Sequence, residues 1–335
     1  MTFASEICGM GSYLPARKVT NEELAPLLGV TPDWIEVRSG IRSRYWGEPA
    51  QATSDLGLEA AKRALDDAKL TAKDLDLIVF ATLSPDHEFP GSGFFLQSKL
   101  KTRTIPVFDL RAQCSGFVYG LSIADKFVSS GEYGNVLVVG AEMHSKGLEL
   151  TPEGKQVAML FGDGAGAFVL RQVEAGPRKN IQAMELHADG KFARALWIEG
   201  PGTGLGLPSR LDASVLAKNQ HHPQMDGPTV FMAAITRMTE VILSVLARES
   251  LTPADVGLFV LHQANLRIVE RVAQNLGVPM ERFHNTIQET ANTTAASIPI
   301  GLLDARLAGK LAPGTRVVSA TFGAGFSWSA VIFNF

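Results

Sequence analysis

The chain reads as an α/β protein assembled from two similar halves, and three observations predict this. Apolar runs such as Leu75–Thr82 and Asn135–Gly140 alternate with segments of helical spacing such as Thr53–Ala68, the pattern of buried strands, expected to be parallel, joined by helices. The segment Leu70-Thr-Ala-Lys-Asp-Leu-Asp-Leu-Ile-Val-Phe-Ala81 is matched by Leu251-Thr-Pro-Ala-Asp-Val-Gly-Leu-Phe-Val-Leu-His262. Val136–Gly140, followed by Phe161-Gly-Asp-Gly-Ala-Gly, is answered by Val317–Ala320, followed by Phe322-Gly-Ala-Gly. Two matches in one order predict an internal duplication. The halves would be residues 1–175 and 176–335, sharing one body because no low-complexity linker divides them.

Each element has its own signal. Phe3–Tyr13 reads as a strand and turn. Asn21-Glu22-Glu23-Leu24 and Thr31-Pro32-Asp33-Trp34 pair a capping residue with acids or proline, as helix starts do. Arg38, Arg42 and Arg44 cluster around Gly40. Thr53–Ala68 places Leu56, Ala60, Ala64 and Ala68 on one helical face, and Pro90–Leu100 is helical again. Ile105–Phe108 is a strand leading into Asp109-Leu110-Arg111-Ala112-Gln113-Cys114-Ser115-Gly116, a turn that opens the helix Phe117–Ser130. Ala165–Leu170 is a further strand. Gly190–Met225 is long, rich in Gly, Pro and His, and weakly periodic, as a lid or substrate wall would be. Asp226–Glu249 resumes as a helix with Ile235, Met238, Ile242 and Leu246 on one face, and Gly257–Leu261 is a strand ending at His262.

Bulk properties remove several function classes. The 335 residues are 46% hydrophobic and 19% charged, which fits a folded enzyme and excludes disorder. A formal net charge of −3 without a basic stripe gives nucleic-acid binding no support. Two cysteines, Cys8 and Cys114, make no disulfide framework and fit a reducing compartment. Met1–Cys8 lacks the pattern of a signal peptide, and no uninterrupted apolar run reaches about 18 residues, so a cytoplasmic protein without a membrane span is expected.

Three residues stand out chemically. A free thiol with its reference pKa of about 8.5 is a poor nucleophile at neutral pH, and the field at a helix N-terminus would help to ionise it. Cys114 stands at such a turn, although small buried cysteines are also common core filling. His262 ends a strand whose counterpart in the first half ends at Ala81, so the strand register does not require a histidine. Asn292, in Thr290-Ala-Asn-Thr-Thr-Ala-Ala-Ser297, could cap a helix or donate its amide to a carbonyl oxygen gaining charge. With the strand end Phe322-Gly-Ala-Gly-Phe326, these residues supply a nucleophile, a donor pair and backbone oxyanion donors. No Cys/His spacing supports a metal, and His221-His222 look solvated in their polar loop. Phe161-Gly-Asp-Gly-Ala-Gly precedes a strand instead of opening a helix, so it is no dinucleotide fingerprint.

The runs Ala112-Gln-Cys114-Ser-Gly-Phe, His262-Gln-Ala-Asn-Leu-Arg-Ile, Asn292-Thr-Thr-Ala-Ala-Ser-Ile-Pro and Phe322-Gly-Ala-Gly-Phe-Ser-Trp resemble the β-ketoacyl-[acyl carrier protein] synthase III branch of the thiolase superfamily. The resemblance runs from Gly9–Pro15 to the final strand and implies a thiolase-like five-layered α-β-α-β-α fold and a homodimer. It implies that Cys114 is the acylated nucleophile and that His262 and Asn292 promote decarboxylation of a malonyl thioester and hold the enolate oxygen. The backbone N–H groups of Cys114 and Ala324 would form the oxyanion hole, and Asn265 would support the histidine through water. Trp34, Arg38 and Lys155 are similar to residues that hold the nucleotide end of coenzyme A, a substrate here and no resident cofactor. Phe89 resembles a phenylalanine that crosses the dimer to close the partner's acyl tunnel, whose depth would depend on packing around Leu148, Leu196, Leu205 and Leu207. Gln263 and Arg267 resemble part of a docking patch for an acyl carrier protein.

The implied reaction is a decarboxylating Claisen condensation between an acyl-CoA and a malonyl thioester. Four positions depart from the family pattern: Gln113 where a small residue is common, Lys155 for an arginine, Met232 for a basic residue, and Glu270 beside the docking helix. They leave room for a specialised synthase of secondary metabolism. Two alternatives remain at this point, an acyltransferase delivering the acyl group to an alcohol or amine and a non-catalytic subunit of a synthase assembly. A two-cysteine thiolase is disfavoured, because Cys8 lies on the first strand and no second thiol is near His262.

Overall fold

The computed structural model describes residues 3–176 and 181–335, so Met1 and Thr2 of the expected first half and residues 177–180 beside the expected boundary lie outside the described residues. The chain begins with β1 (Phe3–Tyr13), β2 (Arg17–Thr20), α1 (Asn21–Leu24), α2 (Pro32–Ser39), β3 (Ser43–Trp46) and α3 (Thr53–Ala68). Next come β4 (Leu77–Ala81), α4 (Ser92–Leu100), β5 (Val107–Leu110), α5 (Gly116–Ser130), β6 (Asn135–Glu142), α6 (Lys155–Ala158) and β7 (Gly164–Glu174). The rest is β8 (Ile181–Ala188), β9 (Leu196–Trp197), α7 (Ala213–Ala217), β10 (Gln224–Met225), α8 (Gly227–Arg248), β11 (Leu258–Phe259), α9 (Leu266–Leu276), α10 (Ile287–Thr290), α11 (Ser297–Leu307), β12 (Arg316–Gly323) and β13 (Ser327–Asn334).

Two mixed sheets carry the architecture. The first has the order β1-β7-β6-β4-β5, and the second has the order β11-β12-β13-β8. In the first, β4 runs parallel to β5 and β6, while β7 runs antiparallel to both β6 and β1. In the second, β11 and β12 are parallel, and β13 is antiparallel to both β12 and β8. Reading β1, β7, β6 and β4 against β8, β13, β12 and β11 gives the same order with the same senses. The expectation of all-parallel strands is thereby corrected. β12 and β13 are joined by a short turn, and the connection from β6 to β7 holds no α-helix beyond the four-residue α6. Neither has the long helix of a parallel crossover, and both pairs run antiparallel.

Helices separate and flank the sheets. Phe117, Leu121 and Val128 of α5 and Ile298 and Leu302 of α11 share one core with β4, β6, β11, β12 and β13. Leu56, Ala60, Ala64 and Leu96 of α3 and α4 cover the outer face of the first sheet. Ile235, Met238, Ile242 and Leu246 of α8 cover the second sheet together with Ile268, Val269 and Val272 of α9. The result is five layers. By length and composition α8 could cross a membrane, unlike the sequence expectation, but its apolar face forms this core.

The repeated Thr-x-x-Asp segments adopt one conformation. Thr71 N–H and Thr252 N–H each donate to the aspartate three residues on, Asp74 and Asp255, at 2.8 Å. These reciprocal caps end the helix-to-strand turn in front of β4 and β11, where a polar bend must be satisfied before an apolar strand is buried. The Gly190–Met225 region is more ordered than its composition implies, with a β9–β10 ribbon and α7 capped by Asp212. His221 and His222 are half-buried in it, and His222 Nδ1 lies 3.0 Å from the Gly147 carbonyl, so the pair is not simply solvated.

Candidate active site

Cys114 sits on a single 3₁₀ turn, Gln113–Ser115, that runs directly into α5. Gln113 carries φ +45°, the left-handed conformation that non-glycine residues seldom adopt. Ser115 is fixed from the other half, because Thr321 Oγ1 donates to Ser115 Oγ at 2.9 Å and lies 2.5 Å from Ser329 Oγ. Gly323 must be glycine for this seam to close, since a Cβ there would stand 2.9 Å from the Cys114 Cβ and backbone nitrogen.

The Cys114 thiol is buried, and its sulfur receives the N–H groups of Cys114 and Ala324. Burial pushes the thiol up to about 12, with the nearby Glu142 carboxyl adding to it and the two N–H groups opposing it. The expected ionisation by the helix end is therefore outweighed by desolvation, and the resting site holds a thiol. The same two N–H groups are oriented to receive an oxyanion formed beside that sulfur.

His262 follows β11, and its backbone N–H donates to the Ala320 carbonyl at 2.8 Å. Its Nδ1 lies 2.7 Å from Ser297 Oγ, whereas Nε2 is enclosed without a protein partner among the described residues. Burial holds the imidazole near pKa 3, so it is neutral at physiological pH. Asn292 is buried on the loop between α10 and α11, and its Oδ1 accepts from Thr294 N–H at 2.8 Å. That bond orients the amide and leaves its Nδ2 donors for a ligand.

A cavity of about 660 Å³ opens on the sulfur. Its wall includes Cys114, Ala324, Thr294, His144, Phe161 and Leu148. Leu148 and Leu196 line it as expected, but Leu205 and Leu207 do not. Leu205 is oriented toward Gly200, and Leu207 is partly exposed. Phe89 is 77% exposed on the loop before α4 and does not line this chain's own cavity.

Several positions behave otherwise than expected. Gln263 is only 1% exposed, with Nε2 donating to the Leu261 carbonyl and Oε1 accepting from Thr286 and Ile287 N–H. It braces the loop below His262 and has no surface to offer a carrier protein. Asn265 caps α9, accepting from Arg267 N–H at 2.9 Å and donating to the Arg38 carbonyl at 3.1 Å. The direct support of the histidine is Ser297. Arg267 is partly exposed but is held by Glu270 at 2.7 Å and by the Val37 carbonyl. The Arg38 guanidinium lies over the Trp34 ring at 4.3 Å, and Trp34 packs against the cluster containing Leu148 and Phe161. Lys155 opens α6 half-buried, outside the cavity lining.

Sequence reasoning missed Glu142, His144 and Thr294. Glu142 is fully buried at the end of β6, where Thr82 Oγ1, Ser84 Oγ and the Leu83 and Ser84 N–H groups donate to it. Burial raises its carboxyl to about 7 against those bonds. His144 is buried against Phe161, with ring centroids 4.6 Å apart. A carboxylate closing the apolar run Val136–Ala141 was the signal available in the sequence.

Comparison with known proteins agrees with this geometry. Residues 108–190 match 3-Oxoacyl-[acyl-carrier-protein (ACP)] synthase III, and residues 246–335 match the C-terminal part of the same family. A β-ketoacyl-[acyl-carrier-protein] synthase III of Caldanaerobacter subterraneus is 40% identical over 331 residues, covering 98% of this chain and 97% of the relative. This chain belongs to that family. It is an acyltransferase of the β-ketoacyl synthase III type, whose reaction is a decarboxylating Claisen condensation. A Streptomyces coelicolor member is 41% identical over 330 residues, covering 98% of this chain and 97% of the relative. The Aquifex aeolicus synthase III structure superposes with a TM-score of 0.89 at 35% identity, covering 99% of this chain and all of that one. The priming β-ketosynthase of the R1128 polyketide pathway gives 0.89 at 30% identity, covering 100% of this chain and 97% of that one.

Proposed function

We propose that this synthase transfers the acyl group of an acyl-CoA to Cys114 and condenses it with a malonyl thioester, giving a β-ketoacyl product. The observation that carries this assignment is the pairing of a thiol held under two N–H donors with a neutral histidine whose Nε2 has no protein partner among the described residues. In the first step Cys114 sulfur attacks the thioester carbonyl, the N–H groups of Cys114 and Ala324 hold the oxyanion, and coenzyme A leaves with the thiol proton. In the second, malonyl carbon–carbon cleavage releases carbon dioxide. The enolate oxygen then takes hydrogen bonds from His262 Nε2 and Asn292 Nδ2.

Ser297 supports the tautomer this needs. Its Oγ accepts from Gln263 N–H at 3.4 Å and can give its own proton to His262 Nδ1, 2.7 Å away, in the tautomer that carries the ring proton on Nε2. A neutral donor stabilises the enolate without protonating its carbon, which attacks the acyl-cysteine and expels the Cys114 thiolate. Asn292 favours condensation over transfer to an alcohol or amine, since only an enolate needs its free amide.

In this assignment residues 1–175 contribute the nucleophile and residues 176–335 the donor pair. Trp34, Arg38 and Lys155 receive the nucleotide of coenzyme A. Arg267 contributes to docking of an acyl carrier protein. A homodimer is supported by the edge strand β5, whose Phe108 is 40% exposed, and by Phe94 of the neighbouring α4, which is 49% exposed. Phe89 then reaches the partner's acyl cavity. The two free thiols fit a cytoplasmic setting.

The test is intact-protein mass measurement after mixing with acyl-CoA, followed by carbon dioxide release from malonyl thioester with and without the acyl group. An adduct on Cys114 together with acyl-dependent decarboxylation is expected. An adduct discharged to alcohols or amines without carbon dioxide release overturns condensation, and no adduct overturns the assignment.

A further inference from the structure

One wall of the acyl cavity carries a polar group that condensation does not use. His144 lies in that wall with Cys114 and Thr294, on the turn that follows β6. Its Nε2 lies 3.0 Å from Thr294 Oγ1 and 3.9 Å from Glu142 Oε2. Its Nδ1 has no partner among the described residues, yet unlike His262 Nε2 it is not sealed from open space. An imidazole is thus fastened by one nitrogen and leaves the other available.

The surrounding groups decide what the free nitrogen offers. The Glu142 carboxylate can only accept, and four protein donors converge on it. That acceptor-only carboxylate stands 3.9 Å from His144 Nε2, which favours the imidazole proton on Nε2, where it is donated to Thr294 Oγ1 at 3.0 Å. Nδ1 is left as a bare lone pair and can only accept. Phe161 packs against the ring, tilted at 44°, and limits its rotation.

We propose that His144 is a specificity residue that accepts a hydrogen bond from a hydroxyl on the acyl chain, so that hydroxyacyl thioesters are preferred donors over unsubstituted ones. The proposal rests on the acyl-Cys114 assignment above, because the group recognised is the acyl chain in the cavity next to that sulfur. An alkyl chain leaves Nδ1 without a partner when it displaces water. A hydroxylated chain restores the bond, and a site built to bond a hydroxyl discriminates against the analogue that lacks it.

The experiment compares butanoyl-CoA with 3-hydroxybutanoyl-CoA and 4-hydroxybutanoyl-CoA at pH 8, where Glu142 is ionised. Acylation rates are read by intact mass, and affinities are read in the C114A protein, where binding is measured without chemistry. The expected preference for one hydroxylated donor is about three- to tenfold, the worth of one net hydrogen bond. H144L should remove the preference, read as the ratio of hydroxylated to unsubstituted donor, and H144N should restore part of it. T294V, which frees the imidazole proton, should weaken the preference too. Equal handling of all three donors by the unmodified protein overturns the proposal. So does an H144L variant that loses activity on all donors alike, which is the result for a purely structural histidine. Absence of any acyl adduct with a hydroxyl preference intact in C114A overturns the acyl-cysteine assignment alone.

Discussion

The ends of β4 and β11 occupy matching places in two sheets of matching order, yet they serve different chemistry. β4 ends at Ala81, whose Cβ lies 3.0 Å from where a Gly116 Cβ would be, so only small residues fit beneath the nucleophile turn. β11 is followed by His262, whose ring has room to reach Ser297. β5, beside β4, delivers Cys114. The corresponding place beside β11 holds only a bridge between Phe259 and Phe283, after which the chain delivers Asn292. In the proposed function one sheet seats the nucleophile and the other the donors, and side-chain size separates the strand end that can hold a ring from the one that cannot.

If the two ends divide the work in this way, they can be broken separately. C114A should reduce condensation by about 10⁴-fold or more, with no acyl adduct by mass and an unchanged circular dichroism spectrum. H262A and N292A should lower carbon dioxide release by about 10²–10³-fold while Cys114 still acylates within a few-fold of the parent rate. Loss of acylation in either would mean that the halves do not act independently. S297A should slow decarboxylation about tenfold, because the histidine loses the bond that fixes its tautomer, and acylation should again be spared.

The smallest effect concerns pH. Burial holds His144 and His262 at about 3, below the ordinary 6.5, so between those values the unfolded chain binds protons that the folded one refuses. Stability therefore falls as pH drops from 6.5 toward 3. Glu142, raised from 4.5 to about 7, works in the opposite direction between those two values. H144L removes one of the two histidine contributions, and its Tm should fall less than the parent's between pH 7 and pH 4.5, by a few degrees. Identical slopes would show that His144 is not held neutral.

Much of this was legible in the sequence, and the remainder has specific physical causes. α3 has the expected limits, Thr53–Ala68, because apolar periodicity and burial coincide there. His262 could be singled out because its strand register does not require a histidine, whereas Cys114 and Asn292 also had ordinary readings, as core filling and as a helix cap, and stood out by the motifs around them. Strand sense was not readable, since apolar content reports burial on both faces and carries no direction. Gln263 was assigned to a docking patch through the resemblance alone, and only the fold shows that it is buried and satisfies the backbone N–H groups of Thr286 and Ile287. His144 and Thr294 belong to no spacing pattern. Their meeting across 150 positions of chain exists only in the fold.

Ser297 has a wider implication. It is the first residue of α11, the helix that lies with α5 between the two sheets. The proton arrangement of the His262 imidazole is therefore coupled to the order of the molecule's most interior layer. Catalysis should be the most sensitive gauge of that interior, so warming ought to silence carbon–carbon bond formation before any loss of secondary structure is detectable.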